Sequence, residues 1–95
     1  MGDAAFLDAT AQADLIRRGD VTAAELVGAA IGRIERLNPR LNAVIHEAFG
    51  RARDAAAGRL PDGPFRGVPL LLKDLFGATA GDPYHMGTRV LRDLD

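Results

Sequence analysis

The chain has 95 residues, 47% hydrophobic and 26% charged, with 12 basic against 13 acidic side chains for a net charge of −1. Those values fit one small globular domain and argue against a nucleic-acid binder, whose footprint is a clustered basic surface. There is no cysteine and no serine, which removes disulfides, thiolate metal sites and the two commonest nucleophiles, and makes the cytoplasm the expected location.

Met1 to Leu7 is a short lead-in. Asp8 or Thr10 can accept backbone N–H bonds as an N-cap, so a first helix is predicted over roughly 9–18, with Leu15 and Ile16 toward the core. Arg17 and Arg18 complement the dipole of its last turn, and Gly19 can take the left-handed conformation that ends it.

Thr22-Ala23-Ala24-Glu25 has the spacing of a capping box, which starts a second helix at Ala23. Leu26, Val27, Ala30, Ile31, Ile34 and Leu37 then recur at helical spacing as one buried stripe, with Arg33, Glu35 and Arg36 on or beside the solvent side. Gly28 and Gly32 each cost about 1 kcal/mol inside a helix, so a close helix contact is expected there. Asn38-Pro39 is expected to stop the helix, because the residue before proline is driven out of the α region.

Leu41 to His46 contains Val44 and Ile45 in loose alternation and is predicted as a short strand. Glu47 to Gly58, rich in alanine, is predicted as a third helix ending at Gly58. The breaker cluster Pro61-Asp62-Gly63-Pro64 requires a turn. After it, Val68-Pro69-Leu70-Leu71-Leu72 is apolar on both alternate faces, the pattern of a strand buried on both sides. This longest apolar run is far short of the roughly 20 residues of a bilayer span, and no signal-peptide pattern opens the chain, so no membrane partner is expected. Phe76 to Asp95 is predicted to be loop until about Thr88, where a short helix begins.

Lys73 is the only lysine, and it follows the buried-looking leucines where α/β folds collect functional groups, at the carboxyl end of a strand. It serves as a base only if its surroundings favour the neutral amine, which burial in an apolar site does. A strand-end lysine snorkelling into water is the plainer alternative.

Gly63-Pro64-Phe65-Arg66-Gly67-Val68-Pro69-Leu70-Leu71-Leu72-Lys73-Asp74-Leu75 resembles, in register, the G-P-x-x-G-V-P-x-x-x-K-D segment of the amidase signature family. Gly19 to Ala23 and Ile34 to Val44 resemble that family's N-terminal helices and the turn into its first strand, and Gly87-Thr88 with Leu91 its loop after the lysine. The resemblance covers the chain from about Asp8 to Arg92. It implies an α/β fold, a sandwich around a mixed sheet, of which residues 1–95 supply N-terminal helices and first strands, truncated before a Gly/Ser-rich segment. It also implies hydrolysis or transfer at a carboxamide by a Ser-cisSer-Lys triad. Lys73 is then the lysine that takes the proton relayed from the nucleophilic serine, which is a weak nucleophile until a base removes that proton. Both serines belong downstream in the family pattern, so this chain alone is expected to be inactive. Within the family, the Leu70 to Leu75 wording and the loop Ala80-Gly81-Asp82-Pro83 resemble aminohexanoate cyclic-dimer hydrolase-like amidases more than the A-type subunits of glutamyl-tRNA amidotransferases.

No cofactor is expected. His46 and His85 lack a metal-ligand spacing, and Gly77, Gly81 and Gly87 do not form a nucleotide loop. Asp74 is expected to have a structural hydrogen-bonding role, and Asp82, Asp93 and Asp95 to make a solvated acidic end. The expected partners are a small-molecule amide and, because the leucine strand lacks neighbours, a second copy or a complementing chain. The competing reading is a noncatalytic binding or structural module that kept the helical layer.

Overall fold

The computed structural model describes residues 2–74, 80–83, 86 and 89. The lead-in is wound into a 3-10 helix, Gly2–Phe6. Gln12 fastens it by donating from Nε2 to the carbonyls of Ala4 (2.9 Å) and Leu7 (3.2 Å).

Helix α1, Ala9–Arg17, begins where Asp8 accepts the Ala11 N–H at 2.8 Å. It ends at Arg17 with Arg18 as its C-cap, and Gly19, just beyond, has a φ of +80°, the left-handed geometry predicted for it. Helix α2, Ala23–Leu41, opens on the complete capping box. Thr22 Oγ1 accepts the Glu25 N–H at 3.1 Å, and Glu25 Oε1 accepts the Thr22 N–H at 3.0 Å. Two of the N–H groups that a helix start leaves without backbone partners are thereby satisfied.

The predicted stop at Asn38-Pro39 does not occur, because α2 carries Pro39 within its last turn and ends at Asn42 in the left-handed region, φ 49°. The Asn38 side chain explains how the end closes there. Its Oδ1 accepts from the N–H groups of Ala43 and Val44, both at 2.9 Å, and its Nδ2 donates to the Val44 carbonyl at 2.8 Å. Those bonds also occupy the Ala43 N–H and both backbone groups of Val44, which a strand over 41–46 would need for its neighbours. Leu41 is helical and 42–45 is irregular, so the predicted strand is absent.

Helix α3, Phe49–Ala57, starts two residues later than predicted, and Ala48 gives it no side-chain cap. Gly58 closes it in extended rather than left-handed geometry, its N–H bonded to the carbonyls of Asp54 and Ala55. Helix α2 packs on α3 and on the 3-10 helix.

The buried core is Ala4, Ala13, Leu26, Val27 and Ile31. Leu26, Val27 and Ile31 are members of the predicted stripe, whereas Ala30 and Ile34 are half-buried and Leu37 is exposed. Helix α3 contributes no buried residue. Among the described residues Gly28 and Gly32 have nothing within 4 Å of where a Cβ would sit, so none of these residues makes the close helix contact expected of them. The radius of gyration, 14.7 Å, exceeds the roughly 12 Å of a compact domain of this length. The described residues form an open helical layer, with no strand among them.

Candidate functional site

The turn before Lys73 is built as the breaker cluster predicts. Arg66 N–H reaches the Gly63 carbonyl at 3.4 Å and Val68 N–H the Phe65 carbonyl at 3.1 Å. Gly67 takes φ +85° and lies against the junction of α1 and α2, where a Cβ would come within 2.9 Å of both Ala23 Cβ and Ile16 Cδ1. Arg17 reinforces this docking, since it pairs with Asp14 through Nη2 and donates from Nη1 to the Pro64 carbonyl at 3.4 Å. The Arg66–Asp62 pair, 2.8 Å apart, is solvent-exposed and worth little.

Beyond the turn the sequence expectation fails. Val68 and Pro69 are half-buried, but residues 68–73 form no strand. Leu70, Leu71 and Leu72 are 80%, 67% and 59% exposed. An all-apolar strand is stable only between layers and beside paired neighbours, and the described residues supply neither. Lys73 is exposed too, and Asp74 is half-buried. The helical layer alone therefore leaves Lys73 without the apolar enclosure that a lysine base requires.

A second cluster joins distant parts of the chain. Asp82 Oδ1 accepts from Arg51 Nη2 at 2.6 Å and lies 3.5 Å from His46 Nε2. Its side chain is only 20% exposed. This overturns the expectation that Asp82 is merely part of a solvated acidic end. The three residues border an open cleft of about 460 Å³ beside the first turn of α3. At 3.5 Å the His46–Asp82 contact is longer than a firm hydrogen bond, and among the described residues the cleft walls hold no hydroxyl or thiol nucleophile.

Of the hydroxyl residues, Thr22 is committed to its cap and Thr10 lies in α1. Thr79, Tyr84, His85, Thr88 and Asp93 to Asp95 lie outside the described residues, as does most of the short helix predicted from Thr88. Among the described residues no group of three His, Cys, Asp or Glu could hold a metal ion, and no helix is long and apolar enough to cross a membrane. Neither the Arg51–Asp82 link nor the threefold bonding of Asn38 was foreseen. The Asp82-Pro83 dipeptide was the available hint of a structured turn.

The 6-aminohexanoate-cyclic-dimer hydrolase of Pseudomonas is 48% identical over 75 residues, covering 79% of this chain and 15% of that protein. The AmiC protein of Mycobacterium tuberculosis is 51% identical over 83 residues, 86% of this chain and 17% of its own length. The A-type subunit of the glutamyl-tRNA(Gln) amidotransferase of Salinispora arenicola is 37% identical over 98 residues, 96% of this chain and 20% of its own. The chain thus spans between 15% and 20% of the length of these curated relatives. No family model matches the chain. No solved structure matches it.

Proposed function

Because this stretch of chain belongs to the amidase signature family, we propose that it is the lysine-bearing N-terminal part of an amide hydrolase. Lys73 is its share of the Ser-cisSer-Lys triad. The observation that carries the reading is the Gly63 to Leu75 segment, which holds the family's pattern in register up to and past the lysine. In the working site, Lys73 takes the proton relayed from the nucleophilic serine through the bridging serine, and the serine oxygen attacks the carboxamide carbon. Backbone N–H groups of the Gly/Ser-rich segment hold the developing oxyanion. None of those groups is in this sequence, so residues 1–95 by themselves do not turn over amides. The absence of cysteine supports the cytoplasm as the working compartment.

The exposed Leu70 to Leu72 run supports the same reading, because it is apolar on both sides and needs a sheet partner and two covering layers. The rest of an amidase domain supplies these, in the same polypeptide or as a complementing chain. Cyclic and linear ω-amino-acid amides are the first substrates to test, given the name of one relative.

The test is the intact mass of the protein from its native host, captured with an antibody to this segment, followed by amide turnover by the captured species. A species several times larger than 10.1 kDa with turnover lost on Lys73→Ala is the expected result. Turnover that survives Lys73→Ala would falsify the assignment. A 10.1 kDa species with no complementing chain favours the noncatalytic module instead.

A further inference from the structure

We draw no further inference here: the strongest candidate, the open cleft that His46, Arg51 and Asp82 border beside the first turn of α3, is a helix N-terminus at which Arg51 and Asp82 already pair with each other, and among the described residues no buried polar side chain lacks a partner there to mark a ligand.

Discussion

Gly67 rests so close to Ala23 that a β-carbon on the glycine would stand 2.9 Å from the alanine's own. Its φ of +85° is also strained for any residue with a side chain. Both effects act in the same direction, so Gly67→Ala is expected to reduce the unfolding free energy by about 1–3 kcal/mol. Gly63 is the internal control, with nothing within 4 Å of its missing Cβ. Gly63→Ala should stay within about 0.5 kcal/mol. Urea midpoints measure both, and equal midpoints would show that the Gly67 docking contributes nothing.

The capping box sets where α2 begins. Thr22→Ala removes the acceptor for the Glu25 N–H and is expected to cost about 1 kcal/mol, while Thr22→Ser keeps the oxygen and most of that stability. Thermal melts followed at 222 nm distinguish them. A serine variant that melts with the alanine variant would sink the assignment of the loss to the cap.

Asn38 carries three hydrogen bonds in one part-buried side chain. In Asn38→Leu the backbone groups of Ala43 and Val44 lose those partners, at an expected cost of about 1–3 kcal/mol. The local signature is faster amide exchange at Ala43 and Val44, with exchange in α1 little altered. Unaltered protection at those two amides would rule out the side chain as the lock on the end of α2.

Leu70 and Leu72 stand largely in solvent. Replacing both with asparagine should change the melting free energy by no more than about 0.5 kcal/mol, yet shift the sedimentation profile from associated species toward monomer. A parent chain that sediments as a monomer at high concentration would dispose of the idea that these leucines seek a partner.

How far the structure could be read from the sequence depended on whether the deciding interaction was local. The cap of α1 at Asp8, one of the two residues the sequence offers for it, the capping box at Thr22 and the left-handed Gly19 each involve residues within a turn of one another, and the sequence points to all three. The end of α2 departs from the sequence expectation because the preference of a residue before proline is modest and the Asn38 side chain closes the helix further on, by bonding Ala43 and Val44. Leu70 to Leu72 has the composition of a buried strand, but strand formation depends on neighbours that the described residues do not provide. At the site, the amidase motif made Lys73 conspicuous. Asp82 was not, since its partner lies 31 residues earlier, a separation at which no local pattern links the two.

The uncovered leucines also bear on the timing of synthesis. With 75 residues making up 15% of the Pseudomonas hydrolase, a protein of that kind has about 500 residues, of which about 400 would follow this segment on the proposed reading. At about 5–20 residues per second their translation takes roughly 20–80 s. On that reading Leu70 to Leu72 would stand bare outside the ribosome until the later segments that cover them are made, up to the whole of that interval.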